Sequence, residues 1–600
     1  MKKIFNILAL AAVSLSMTAC FDLTEQSFNR IEKDNFYENE GSVKGAVASV
    51  YNRATVGFSE YFFYLNEFSA DQISWRVWNG GLWGWDEAEK FVLSSHTWTS
   101  ESKIINSAWD NTWQCIGQAN NIIYDLESMD PAALGMTMED FEAYIAEMRT
   151  LRAWCYYNLF EVWGGALPLC TTVTTDIPPS AGETFEEGCK NIFKFIETEL
   201  EESYPNLKDN GYARMNPATN RMILARLYLN AKVFIGEDRF ADCAGICEQF
   251  IGPKAKDEFK KYELANDFRK VFDKDNNTCK EIIFAFAFEQ GMSAGSALNM
   301  RNVTGFAYNA WDAFGHTTNA SGWNCVCVVP SHDNSGNVLA TGGTDTGGKS
   351  FVYDYGDKLG AVYDRFDPKD IRRQAFYCDT KGNWNGGLFL MGPQKNYNTG
   401  EPLVADADRD GQDLVYVDQV GTFMNLGKEL QTVMSPRWGE TNSGYRLVKY
   451  PVYPDECEFD YRNSEEVEFR LAEVYYMLAE CYLRAGNKGE AQRLVNEVRG
   501  RYFSAADWNT VKNQPGPGFS DFDLDWMLSE WGKEFLGEGR RRRTDLRRFD
   551  KFTQGQWWFF GRTDEGYEAT RDRMYEWFPL PQRALAVNPG LKQNPDYVAK

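Results

Sequence analysis

Histidine is almost absent from this chain: 600 residues hold three, His96, His316 and His332. Cys325-Val326-Cys327 has neither the second cysteine pair nor the histidines that a zinc site requires. Positive charge is also in short supply. Lys and Arg number 63 against 86 Asp and Glu, a net charge of −23. That balance makes nucleic acid and anionic lipid poor partners for the body of the protein and suits neutral ligands. No stretch beyond the N-terminus is apolar enough to span a bilayer, which takes about 20 residues. The chain has 13 cysteines, but their surroundings do not suggest a disulfide framework. Cys243 and Cys247 share a helical stripe with Phe240, Ala244, Phe250 and Ile251, and Cys155 and Cys481 lie inside helical patterns, so mostly free, buried thiols are expected.

The N-terminus has a definite chemistry. Met1-Lys2-Lys3, an apolar run from Ile4 to Val13, and Ser16-Met17-Thr18-Ala19-Cys20 form a secretory signal peptide. A cysteine directly after Thr-Ala resembles the bacterial lipobox. The expected mature chain therefore runs from 20 to 600, tethered to a membrane by acyl chains at Cys20.

The rest reads as mainly α. Helical periodicity covers 34–56, 103–127, 139–163, 185–203, 215–251, 464–502 and 524–537. Leu224-Ala225-Arg226-Leu227-Tyr228-Leu229 and Leu478-Ala479-Glu480-Cys481-Tyr482-Leu483 repeat an L-A-x-x-Y-L pattern, each followed by a glycine-containing turn and a second amphipathic segment. Small alanines beside bulky tyrosines let paired helices interlock, as in tetratricopeptide units. Between 255 and 460 glycine, asparagine and aspartate accumulate. There Glu281 to Phe288 reads as a buried strand, and the remainder as irregular loops with short strands.

An ordered set of local strings identifies a family. They are Arg152-Ala153-Trp154-Cys155-Tyr156-Tyr157-Asn158-Leu159 with Gly164-Gly165-Ala166-Leu167-Pro168-Leu169; Phe469 to Glu480; Glu538-Gly539-Arg540 with Asp545-Leu546-Arg547-Arg548; and the terminal Pro579-Leu580-Pro581-Gln582, Asn588-Pro589 and Gln593-Asn594-Pro595. With the lipobox and the helix pairs, the chain resembles the SusD/RagB family of outer-membrane nutrient-binding lipoproteins. One departure is Glu530-Trp531-Gly532-Lys533, which lacks the arginine usual after that glutamate.

The resemblance implies a SusD-like fold: signal peptide 1–19, then one domain over 20–600. In that domain a helical scaffold (about 34–254 and 461–600) carries a ligand-side insertion (about 255–460). It implies a non-catalytic protein with no required cofactor, facing the cell exterior on the outer membrane. Such a protein binds a polysaccharide or oligosaccharide and acts as a lid on a SusC-like, TonB-dependent transporter. Peptide binding on the same fold is the alternative. A glycoside hydrolase is a more distant one, since it would need two positioned carboxylates. The resemblance also makes Arg540 to Arg543, with Arg547 and Arg548, an intramolecular ion-pair network rather than a nucleic-acid patch, with Glu530, Glu534 and Glu538 just before it.

Trp75, Trp78, Trp83 and Trp85 fall among Gly80, Gly81 and Gly84, a pattern of neither helix nor strand. Indole faces on a loop suit the C–H face of a sugar ring, and Arg76 and Asn79 could bond its hydroxyls. About two of the four rings are expected to face solvent, the others to plug the core. Tyr308, Trp311 and Trp323 form a second aromatic group that the resemblance assigns to the same platform. Two further motifs remain. Gly291-Met292-Ser293-Ala294-Gly295 matches a nucleophile elbow but lacks the βαβ series that gives the motif meaning. Asp406, Asp408 and Asp410 with Gly411 match the opening of a calcium loop, but Val417 stands where an EF-hand has its closing glutamate. Either a structural calcium completed by other oxygens or a solvated acidic turn fits.

Overall fold

A computed structural model describes residues 36–75, 89–174, 176–288, 312–315, 326–329, 343–344, 350–351, 358–359, 362–404, 413–416, 418, 444–451, 453–454, 464–539, 541–553, 556–557, 562–563, 566–567 and 573–597. The helices begin where side chains can satisfy their first amides. Asn39 opens α1 (Glu40–Val56) with a reciprocal cap, its side chain accepting from the Ser42 amide while the Ser42 hydroxyl accepts from that of Asn39. The first amide of α2 (Lys103–Glu127) donates to Glu89 Oε2 at 2.6 Å. Thr137, Thr184 and Asn216 cap α3 (Met138–Trp163), α4 (Phe185–Ser203) and α5 (Pro217–Leu229), and α6 (Phe240–Cys247) follows after a short helical turn. In the C-terminal part α7 (Leu471–Arg484) and α8 (Lys488–Arg499) are joined through Gly486 at φ 83°, a left-handed turn residue. Then come α9 (Leu524–Glu534), capped by Asp523, and α10 (Arg542–Arg548).

These helices pack as successive neighbours: α1 on α2, α2 on α3, α3 on α4, then α5 on α6, α6 on α7 and α7 on α8. The two L-A-x-x-Y-L helices are α5 and α7, with α6 against both, and the motif alanines Ala225 and Ala479 are wholly buried. The mainly α architecture expected from the sequence is present. The helix expected over 464–502 starts later, however. Glu466–Arg470 is a strand paired antiparallel with Ile282–Phe286, the strand expected in 281–288. All five residues of each are buried. The insertion is built of two-stranded pairs, among them Phe376–Cys378 with Trp384–Gly386 and Phe389–Leu390 with Arg446–Leu447. One contiguous hydrophobic core runs from Tyr37 to Leu591.

A buried ionic network sits between helices and insertion. Arg470 reaches Glu281 (3.0 Å), Glu534 (2.8 Å) and Glu538 (2.8 Å); Arg501 reaches Glu281 and Glu534; Arg372 joins Asp370 to Glu534. So Glu534 and Glu538 serve these cations, and Glu530 takes Lys533 at 2.6 Å. In the arginine run Arg541 pairs with the distant Glu473, Arg542 with the distant Asp71, and Arg548 with Glu480 and its near neighbour Asp545, whereas Arg543 donates to the Tyr575 and Glu576 carbonyls and Arg547 to the Glu161 carbonyl. The ten described cysteines are all free thiols, seven of them buried. Among the described residues no helix is long and apolar enough to cross a membrane.

Candidate functional site

Past Val56 the first helix continues as π-helical turns, Gly57–Phe62 and Tyr64–Phe68, which bury Phe58, Phe62, Tyr64, Leu65 and Phe68. The chain then enters β1 (Ile73–Trp75). This strand pairs antiparallel with β3 (Val326–Val328), in the register Ile73 with Val328, Ser74 with Cys327 and Trp75 with Val326; β2 and β4 are the strands Ile282–Phe286 and Glu466–Arg470. The pairing matters because of what adjoins it. Trp75 is the last residue before the tryptophan- and glycine-rich stretch 76–88, and Val326 follows the stretch that carries Tyr308, Trp311 and Trp323. The two candidate ligand segments therefore have a common root.

Buried polar contacts fix that root. Asp71 accepts from Arg542 Nε (2.6 Å) and Nη2 (2.9 Å) and from Arg365 Nη2 (3.1 Å). Burial works against the Arg542 charge, but Asp71 outweighs it and the guanidinium stays protonated. Gln72 donates through its side chain to the Gly532 carbonyl (2.9 Å), while its own carbonyl accepts from the Val329 amide (2.8 Å). Gly532 lies close against that root. A Cβ there would press on the Gln72 amide and the Arg542 guanidinium, so a larger residue would push both away from the root.

Trp75 itself is not a platform residue. Its side chain is fully buried, its ring packs on Phe68 (centroids 5.7 Å apart), and Lys90 Nζ lies 4.7 Å from its centroid. Its amide donates to Ser94 Oγ at 2.9 Å. The ring expected at the ligand is an anchor below it. Arg76, Trp78, Asn79, Trp83, Trp85, Tyr308, Trp311 and Trp323 lie outside the described residues, as does Cys20. Within the second segment Asp312 to Gly315 are described. Phe314 is buried against Phe376, the Tyr397 amide donates to the Asp312 carbonyl (2.8 Å), and the Asn398 side chain donates to that of Gly315 (3.3 Å). The residue after Trp311 is thus tied to the insertion.

Asp406, Asp408 and Asp410 also lie outside the described residues. Their flanks form an antiparallel bridge, Val404 with Asp413, and the Leu414 amide donates to the Leu403 carbonyl at 2.7 Å. The run is flanked by a hairpin stem and not by the two helices of an EF-hand. Sequence reasoning missed Asp71, Gln72 and Ser94 as the polar supports of the root. For Asp71 and Gln72 a short polar run between two aromatic-rich segments was the available signal, but their partners are hundreds of residues away; Ser94 meets Trp75 across only 19 residues.

The chain is similar over its whole length to known proteins. It is 24% identical to the starch-binding protein SusD of Bacteroides thetaiotaomicron, with 99% of each chain covered. Among solved structures, a laminarin-binding SusD-like protein superposes with a TM-score of 0.61 at 18% identity, covering 94% of this chain and all of the other. Surface glycan-binding protein A from Bacteroides uniformis does so with a TM-score of 0.60 at 16% identity, covering 93% and 99%. A profile described as the SusD family matches residues 280–597. That match takes in the buried strand β2, most of the insertion and helices α7–α10, of which α9 and α10 hold the root, and the chain belongs to the SusD family.

Proposed function

We propose that this protein is a non-catalytic receptor at the cell surface that binds a polysaccharide or oligosaccharide. It hands that ligand to a SusC-like, TonB-dependent transporter of the outer membrane, where acyl chains at Cys20 tether it. One observation supports the reading most: Trp75 pairs with Val326, so the two strands that adjoin the aromatic segments in sequence are partners in one ladder. Loops held by a rigid body are where binding groups collect. Trp78, Trp83 and Trp85, with Tyr308, Trp311 and Trp323, would stack on sugar rings, while Arg76 and Asn79 would bond hydroxyls. Relatives named for binding starch and laminarin support the same ligand class. The reading needs no cofactor; Asp406, Asp408 and Asp410 would be the ligands of a structural calcium.

The test is native electrophoresis of the mature chain through gels cast with single polysaccharides, among them starch, laminarin, fructan, xylan and mannan. Reducing ends are assayed in parallel. Retardation by one polymer without release of reducing ends is the expected result. No retardation in any gel would shift the reading to peptide cargo, and released ends would make the protein a hydrolase.

A further inference from the structure

The two L-A-x-x-Y-L helices treat their tyrosines alike at the hydroxyl and differently at the ring. Tyr228 donates to Glu197 Oε1 at 2.9 Å, and Tyr482 donates to Glu248 Oε1 at 2.9 Å. Over Tyr228 lies the guanidinium of Arg239, 4.4 Å from the ring centroid, and its Nη2 reaches the same Glu197 oxygen at 3.2 Å. Ring, carboxylate and guanidinium close on one another.

The second copy has an arginine at the same distance in sequence, since 493 − 482 and 239 − 228 are both 11. Its setting differs. Arg239 precedes α6 and lies across the tyrosine even while its Nε pairs with Asp242, whereas Arg493 lies inside α8. There its own helix claims it, with Nη2 2.6 Å from Glu490 and Nη1 3.3 Å from Glu497. Tyr482 is left lining a cleft of about 480 Å³ together with Tyr475, two helical turns earlier on α7. The floor includes the buried Leu478 and Leu494. Three carboxylates, Glu248, Glu490 and Glu497, line it against two cations, Arg493 and Lys254. Lys254 holds Glu248 at 2.6 Å but is 73% exposed, a pairing worth little in water and easily displaced.

We propose that this cleft receives a guanidinium group, the side chain of an arginine displayed by a partner protein. It would stack on Tyr482 and bond to Glu248 as Arg239 does on Tyr228 and Glu197. A planar guanidinium can stack on a ring and fork to a carboxylate at once; an ammonium cannot. The arginine's methylene stem would lie on the leucine floor. None of these residues belongs to the β1–β3 root, so the site stands apart from the glycan reading.

The mature chain is titrated with N-acetyl-L-arginine methylamide, and with the lysine and citrulline analogues, by saturation-transfer NMR at low salt. The arginine probe should saturate at one site. Glu248→Gln should weaken it about tenfold through loss of a charge-assisted bond, and Tyr482→Leu about threefold through loss of the ring. Arg239→Ala, with unchanged circular dichroism, should uncover the first copy's slot and raise the stoichiometry from one to two. The assignment falls if the arginine probe does not bind, or if lysine or citrulline binds as well. It falls equally if both cleft variants keep full affinity, or if Arg239→Ala gains no second site.

Discussion

Arg542 and Asp71, separated by 471 residues, meet as a bidentate pair in which both side chains are buried, with Nε to Oδ1 at 2.6 Å and Nη2 to Oδ2 at 2.9 Å. The pair fastens α10 to the turn before β1, the strand that precedes the stretch carrying the candidate tryptophans. Removing one partner of a buried pair strands the other's charge. Here two cations would lose the same carboxylate, because Arg365 shares it. Asp71→Ala should cost about 3–5 kcal/mol, read as a lower urea midpoint. It should also speed proteolytic cleavage within 76–88, because the stem of that stretch loosens before the whole protein does.

Trp75 and Trp78 stand three residues apart and should fail in different ways. Trp75 is a wholly buried ring in the core, so Trp75→Ala should lose about 3–5 kcal/mol of stability and whatever binding depends on the ladder. Trp78→Ala and Trp311→Ala should leave the melting temperature within a degree or two of wild type while weakening retardation in the polysaccharide gel. Melting curves beside affinity gels check both halves. Equal loss of stability in all three would place Trp78 and Trp311 in the core with Trp75.

How far these features could be read from the sequence depends on whether their causes are local. The helices were legible because caps such as Asn39 and Asn216 and the 3.6-residue spacing lie within a few residues of each other. The strand Glu466–Arg470 was not. It falls within the helix expected over 464–502, whereas its alternating charges, Glu466, Glu468 and Arg470, are all buried and matched by distant partners such as Arg226, 2.8 Å from Glu468. The same limit misled the pairing of the arginine run. Glu530, Glu534 and Glu538 are its neighbours in sequence, but Gly537 and Gly539 turn the chain with φ of 72° and 86°, and the acids point to other cations. Trp75 could have been separated from its companions: it ends an Ile-Ser-Trp strand with no adjacent glycine, while Trp78, Trp83 and Trp85 each lie within three residues of one. The cleft beside Tyr482 was out of reach, because it depends on where Arg493 turns and not on which residues are present.

Acid should unfold this protein in a specific window. Glu480 is buried and accepts from Arg548 Nε (2.8 Å) and Nη2 (2.9 Å), Arg484 Nε (2.8 Å) and Trp531 Nε1 (2.8 Å). Burial alone would push its carboxyl up, but the charges of Arg548 and Arg484 outweigh it and bring it down to about 2. Burial is likewise outweighed at Glu473, Glu530 and Glu538, which are also lowered by their cation partners. A carboxyl depressed in the folded state contributes stability above its unfolded value, near 4.3. That contribution is lost as the pH falls through the folded value. Urea midpoints should therefore hold above about pH 5 and fall steeply from there to pH 2, with Glu480 alone supplying on the order of 3 kcal/mol. In Glu480→Gln, already destabilised at pH 7, the slope over that window should flatten. An unchanged slope would mean that the carboxylate is not the titrating group.

Two helical glycines should respond to alanine with opposite signs. In an open helix position Gly→Ala stabilises by up to about 1 kcal/mol, since alanine loses less backbone freedom on folding. Gly245 in α6 is exposed, with nothing within 4 Å of where a Cβ would sit, so Gly245→Ala should stabilise the fold by about that amount, read as a higher urea midpoint. Gly188 in α4 is buried against the turn that ends α3, and a Cβ there would collide with the Gly165 carbonyl. One on Gly165 would collide in turn with the Phe185 carbonyl and the Cys189 amide. Backbone atoms cannot rotate away as a side-chain tip can. Gly188→Ala should therefore cost about 1–3 kcal/mol in spite of its helix propensity. Because Gly165→Ala breaks the same contact, the double variant should cost less than the two single losses added together, a coupling that a double-mutant cycle measures directly. Additive losses would show that α4 docks on the turn through other groups and that the paired glycines only happen to face each other.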